Sequence, residues 1–306
     1  MKKKVFLHEI KKNWMLCLMA LPAVLCLFVF NYVPMAGLVM AFQRMDFRKG
    51  IFTSPFVGLD NFKFLFATTD AWIITRNTVC YNVVFLALAL VCSVSLALLI
   101  NELRNKLFAK TIQTIFIMPH FLSMVVISMI VYAFLGHDMG YVNNILMDLG
   151  HDKIYWYNTK EAWPPLLVLI YLWHHVGFSS VVYTAVISGI SNEYYEAAVL
   201  DGATRFQQAK YITIPHLKTI VCINLIRGVG GMFRSDFGLF YSVPQDSGAL
   251  YSVTNTLDTY VYRGITSLGN FGMSTAAGLY QSVVGFILVL VANKIVDKID
   301  SESALF

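Results

Sequence analysis

Six long apolar runs alternate with polar intervals along the chain: Trp14–Phe42, Asn77–Ile100, Thr111–Leu135, Leu166–Ile190, Ile212–Met232 and Ala276–Ala292. Each is long enough for a helix to cross the ~30 Å hydrocarbon core of a bilayer. An even number of crossings returns both termini to one side. The first run is too long for the apolar core of a signal peptide and has no small-residue cleavage site, so it reads as a retained helix. The pattern predicts an all-α integral membrane protein: a polar tail over 1–13, then a six-helix transmembrane domain over 14–306.

The basic residues choose the side. With the N-terminus inside, the segments 1–13, 101–110, 191–211 with Lys218, and 293–306 carry five, three, three and two of the 23 Lys and Arg residues. They do so in far fewer residues than the three outside intervals, and Lys and Arg concentrate on the cytoplasmic side of short loops. Arg44, Arg48, Lys49, Lys63 and Arg76 fall outside, in a longer interval where the rule is weaker. The intervals Gln43–Arg76, Gly136–Pro165 and Phe233–Ser274 are thus expected outside, as solvated connections or as a docking rim. Tyr141, Tyr155, Trp156, Tyr157 and Trp163 suggest an aromatic belt at the membrane interface.

Composition sharpens this picture. Hydrophobic residues make up 57% and charged residues 13% of the chain, against about 25% charged in soluble domains. Five cysteines, all in apolar runs and without C-x-x-C spacing, indicate neither a disulfide framework nor a zinc site. A net charge of +5 suits basic cytoplasmic ends, and nothing points to nucleic acid.

One polar interval has closely ordered spacing. Glu193 to Pro215 reads EYYEAAVLDGATRFQQAKYITIP. It must lie outside the bilayer, where its polar groups find partners. Ser191 and Asn192 are good N-caps, and Glu193 and Glu196 place negative charge near the start of a helix, where the dipole favours it. Asp201-Gly202 breaks that helix, because Gly accepts the left-handed conformation of a helix end. A second short helix follows, and Pro215 is expected to end it as the chain re-enters the membrane.

Glu196-Ala197-Ala198, then Gly202 after three residues, then Ile212-x-Ile214-Pro215 after nine more, resemble the EAA loop of permease subunits in bacterial ATP-binding-cassette (ABC) importers. The only departure is Ile214, where the family has Leu. Asp201 and Ala203 extend the match to a form similar to the carbohydrate-type importers. The runs 31–42, 54–66 and the terminal ESALF also resemble the oligosaccharide branch, so the likeness covers essentially the whole chain. It implies the type I importer permease fold, with cytoplasmic termini, in the bacterial cytoplasmic membrane. It implies that 191–215 is a cytoplasmic coupling loop in which Glu196, Ala197, Ala198, Asp201, Gly202, Ala203, Ile212 and Pro215 meet an ATPase. The implied partners are a second permease forming a heterodimer, two ATPase subunits that hold ATP and Mg, an extracytoplasmic solute-binding protein, and a carbohydrate, an oligosaccharide by the same likeness. No cofactor is expected in this chain.

Polar residues inside the runs are the candidates for a substrate path, since they are costly in lipid and face cavities. Tyr171, His174, His175 and Phe178 share one face of the fourth run, at i, i+3, i+4 and i+7. Aromatic faces suit the C–H face of a sugar, and His and Tyr can hydrogen-bond its hydroxyls. In related sugar permeases the substrate lies against the helix that precedes the coupling loop. Taken singly, each of these residues suits helix packing equally well. On the fifth run Asn224 and Arg227 precede Gly228, Gly230 and Gly231. Arg227 either meets an acidic sugar or pairs with Asp236, and pairing is the expectation here. Tyr280 and Gln281 are weaker candidates. His174-His175 is a poor metal pair by spacing, since adjacent helical side chains diverge by roughly 100°.

No G-x-x-x-x-G-K-[ST] loop, H-E-x-x-H, nucleophile elbow or acidic pair within a span occurs, so neither ATP hydrolysis nor another catalysis is expected of this chain. Two rival readings stay open. One is a permease of the same architecture for an amino acid, phosphate or polyamine. The other is an intramembrane enzyme or phosphotransferase, for which His216 is the only candidate.

Overall fold

The computed structural model describes residues 12–63 and 69–299. The basic tail up to residue 11, the last residues of the 54–66 run and the terminal ESALF lie outside them. Among the described residues the secondary structure is helical, apart from one antiparallel bridge between Gln43 and Phe56.

Helix α1 (Trp14–Phe42) is exposed along nearly its whole apolar length, and its last turns, Val33–Phe42, pack against the last span. Helix α2 (Thr69–Asn101) begins ahead of the apolar run that predicts it. The extension is stable because its polar side chains find carbonyls. Asn77 Nδ2 donates to Ser252 O (3.2 Å) and Asn255 O (3.0 Å), and Arg76 donates to Ser252 O (3.1 Å). The third apolar run is not one helix. α3 (Lys106–Phe121) and α4 (Met124–Leu135) meet at 99°. Pro119 sits in the last tight turn of α3, Leu122 is extended, and the Ser123 hydroxyl caps α4 by accepting from Val126 N (3.3 Å).

A short helix between spans, α5 (Tyr141–Asp148), leads to α6 (Trp163–Ser188), the fourth span. The loop helices α7 (Asn192–Leu200) and α8 (Arg205–His216) follow, and α8 joins α9 (Lys218–Gly230) at a 58° bend. α10 (Leu257–Thr266) lies outside the spans, and α11 (Phe271–Ile299) is the last crossing. Four of these helices are long and apolar enough to cross a bilayer alone, and the two bent pairs bring the number to six if each forms one crossing. Pro215 does not end its helix. The helix runs on through it to His216, and the bend comes at Leu217.

Two apolar clusters hold the bundle. At one end Leu217 packs with Ala97, Tyr183 and Ile187. The larger cluster joins Tyr81 and Phe85 of α2 and Ile127 of α4 to Trp163, Leu167 and Ile170 of α6. It also takes in Leu239, Phe240, Val243 and Leu250, from an interval expected to lie outside as a connection. These residues are almost fully buried, so the first half of Phe233–Ser274 belongs to the core. Trp163 leaves the expected aromatic belt for the same reason: it is 1% exposed, with its indole N–H on Trp156 O at 2.8 Å. Tyr141 and Tyr155 remain exposed, as a belt requires.

Gly177 permits a close approach between two spans. A Cβ built there would lie 1.8 Å from the Phe116 carbonyl oxygen and 2.2 Å from its carbon. Only glycine lets α6 rest directly on the α3 backbone just before the break.

Candidate functional site

The loop between α6 and α9 is built from local capping. The Ser191 hydroxyl accepts from Glu193 N (3.3 Å) and starts α7. Gly202, at φ +77°, stops it: Ala203 N donates to Ala198 O (2.9 Å) and Gly202 N to Val199 O (3.0 Å). These are the paired bonds of a Schellman motif, which needs a left-handed residue at that point. Thr204 and Gln207 then cap α8 reciprocally, with Thr204 N donating to Gln207 Oε1 at 2.7 Å. Tyr195 and Thr213 join the two arms through their hydroxyls (3.0 Å).

Glu196, Ala197, Asp201, Gly202 and Pro215 are exposed, while Ala198, Ala203 and Ile212 are half-buried. Glu196 makes no ion pair among the described residues and lines a cleft of about 510 Å³ between α7 and α8, together with Tyr195, Leu200 and Arg205. Two residues here escaped the reading of the sequence. Leu200 is 89% exposed and Phe206 is 76% exposed, on either side of Gly202. Large apolar side chains on a polar loop were the available signal, because exposed apolar patches mark contact surfaces.

A second site lies within the bundle. A cavity of about 250 Å³ is lined by Tyr171, Phe178, Tyr183, Asn224 and Arg227, with Ser93 and Gly228 among its other walls. Tyr171 is fixed by stacking on Phe85, ring centres 3.9 Å apart. Asn224 Nδ2 donates to the Tyr183 hydroxyl at 3.2 Å, which joins the fourth and fifth spans. Arg227 is exposed in this cavity and makes no ion pair among the described residues. The expected partner is engaged elsewhere: Asp236 accepts from Leu239 N (3.1 Å) and caps the following turn. A bare guanidinium at membrane depth is tolerable only where water or a ligand meets it.

Four of the six residues chosen for the path, Tyr171, Phe178, Asn224 and Arg227, therefore come together. His174 and His175 do not line this cavity. They turn to the α3–α4 break, where His174 Nε2 lies 3.3 Å from Leu122 O. Their rings do not diverge as spacing suggests: the two Nδ1 atoms are 3.3 Å apart. Gln281 acts as a strap, donating to Phe233 O (2.8 Å) and Asp258 Oδ2 (3.3 Å). Tyr280 meets Phe233 edge to face.

Comparison with known proteins bears on the family and the fold. A family model described as "Binding-protein-dependent transport system inner membrane component" matches residues 89–301. The chain is 35% identical to the polygalacturonan/rhamnogalacturonan transport system permease protein YteP of Bacillus subtilis, over 98% of this chain and 93% of that one. It is 27% identical to the trehalose/maltose transport system permease protein MalF of Thermococcus litoralis, over 89% of each. A solved bacterial ABC transporter "involved in the import of the acidic polysaccharide alginate" contains a similar chain, with a TM-score of 0.87 and 32% identity over 96% of this chain and 99% of that one. The alginate transporter solved "in complex with alginate pentasaccharide-bound periplasmic protein" gives a TM-score of 0.85 at 32% identity, over 95% of this chain and 97% of that one.

Proposed function

The chain belongs to the family of inner-membrane components of binding-protein-dependent transport systems, and from that membership we propose that it forms half of a path for an acidic oligosaccharide. Its fold is that of a type I ABC importer permease. It is a multi-pass protein of the cytoplasmic membrane and a transport subunit, not an enzyme. A carbohydrate as the cargo is supported by the sugar permeases among its relatives. Acidity of the sugar is supported by one observation above all: Arg227 stands unpaired among the aromatic and amide groups of the cavity. The aromatic rings of Tyr171 and Phe178 suit the apolar face of a sugar ring, and the guanidinium suits its carboxylate.

Around this path we place a second, similar permease, with two ATPase subunits on the cytoplasmic side and a solute-binding protein outside. ATP and Mg belong to the ATPases. Both termini and residues 191–215 face the cytoplasm in this reading. Glu196, Gly202 and the exposed Leu200 and Phe206 enter a cleft on an ATPase. Closure of the ATPase dimer moves α7, and the spans tilt between inward-open and outward-open states. The driving free energy comes from contacts that differ between those states.

Uptake of labelled oligosaccharides by cells that express the full transporter tests the cargo. Oligouronides are expected to be taken up, and to compete, well ahead of neutral oligosaccharides of equal length. Arg227→Gln removes a charge-assisted hydrogen bond of about 1.5–3 kcal/mol, so uptake of the acidic sugar should fall by roughly 10- to 150-fold. Equal uptake of acidic sugar by Arg227→Gln and wild type would refute the assignment.

A further inference from the structure

We propose that His120, His174 and His175 form a binding site for a divalent transition-metal ion of the zinc class, joining the break in the third span to the middle of the fourth. One ring nitrogen from each histidine lies within 4.8 Å of the other two. His120 comes from the tight turn Met118–Phe121, and the other two from α6. Gly177 makes this meeting possible, because its missing side chain lets the Phe116 backbone rest on α6 one turn away.

Three features point to a metal rather than to packing alone. The 3.3 Å between the Nδ1 atoms of His174 and His175 is the edge of a tetrahedron with metal–nitrogen bonds of about 2.0–2.1 Å. His174 presents its other nitrogen, Nε2, to Leu122 O at 3.3 Å. With Nε2–H donating to a backbone carbonyl, Nδ1 keeps its lone pair, which is the usual support of a metal-bound imidazole. The third feature is His120 Nδ1, which is buried with no hydrogen-bond partner. Stacking on Phe178 at 4.2 Å holds that ring in place. An orphaned ring nitrogen costs free energy unless something takes its lone pair.

His175 has a competing contact, with Nδ1 3.1 Å from Tyr171 O. That carbonyl also faces the amide of residue 175 in the ordinary helical pattern, so releasing the side-chain contact orphans no backbone group. The donor set is three neutral imidazoles. That favours zinc, copper, nickel or cobalt over calcium or magnesium, and leaves a fourth position for water or an anion.

The test uses the assembled transporter, purified without a histidine tag, stripped by a chelator and titrated with Co²⁺ and then Zn²⁺. One equivalent of cobalt per copy of this chain should give the intense visible absorption of a tetrahedral nitrogen site, and zinc should displace it. His120→Ala and His175→Ala should each weaken binding by at least ~10-fold. His151→Ala, at an exposed external position, should leave it unchanged. Equal affinity in wild type, His120→Ala and His175→Ala would overturn the site. If those variants do not assemble, the wild type still decides: zinc must raise its Tm and cobalt must give the tetrahedral spectrum. Failure of either means the cluster is a hydrogen-bonded histidine core.

Discussion

Replacing Gly202 separates a docking role from a backbone role, because the two predict opposite orders of damage. Gly202 has φ +77°, and a Cβ built there would meet nothing within 4 Å in this chain. Any steric penalty inside the permease is therefore absent, and only the left-handed backbone opposes a side chain. For Ala that costs about 1–2 kcal/mol, while Asn visits this conformation more readily and costs less. The turn is exposed and lies at the end of a short helix, so either variant should insert at near-normal levels. A partner seated over Gly202, gripping Leu200 and Phe206, would respond to bulk instead. Asn is larger than Ala, so Gly202→Asn should lose more of the ATPase on copurification and more sugar uptake than Gly202→Ala. Losses above ~30-fold in Gly202→Asn would exceed the roughly 5- to 30-fold change that a backbone cost of 1–2 kcal/mol allows. Quantitative copurification of the ATPase, with permease abundance in the membrane as the control, reads the order directly. A larger defect in the Ala variant, or full transport in the Asn variant, would mean that the loop needs glycine only for its own turn.

Two other perturbations follow from the same geometry. Gly177→Ala drives a methyl group into the Phe116 carbonyl, so α3 and α6 must separate; overpacking of about 1–3 kcal/mol should appear as a lower Tm and reduced uptake, and an unchanged Tm would show that the contact yields freely. Single cysteines in place of Ser191 and Asp152, both exposed, should differ in intact cells: the first should resist an impermeant thiol reagent and the second should react. Rapid labelling at position 191 from outside would reverse the orientation.

The six apolar runs and the capped loop were legible because each is written in consecutive residues. Hydrophobic length predicts a span, and Ser191, Gly202 and Thr204 act on backbone groups two to five residues away. The break in the third span was written there too, in Pro119 and Ser123, but the high overall hydrophobicity from Thr111 to Leu135 masked it. What the sequence concealed depends on contacts distant along the chain. Leu239, Phe240, Val243 and Leu250 are scattered among Gly, Tyr and Ser, and count as core only once Tyr81 and Trp163 are beside them. Proximity in sequence pairs Arg227 with Asp236 nine residues on, yet that carboxylate serves its own following turn. The histidines looked divergent because helical spacing says nothing of the turn from another span that gathers their rings.

These contacts also suggest how a push on the loop reaches the cavity. Both roots of the loop enter one apolar cluster, in which Ile187 of α6 and Leu217 at the α8–α9 bend pack with Tyr183 and Ala97. Tyr183 belongs to that cluster through its ring and to the cavity wall through its hydroxyl, which accepts from Asn224 of the fifth span. Displacing α7 therefore cannot move one root alone, since a packed cluster resists being sheared apart. α6 runs unbroken from Ser188 past Tyr183 to Phe178, ten residues and ~15 Å of helix. A rigid rod of that length carries a tilt at the loop to Phe178 and Tyr171 with little loss. The glycines at the far ends of this path have complementary roles. Gly177 seats the rod on the α3 backbone, and in the proposed coupling Gly202 leaves the loop surface open to the subunit that pushes it.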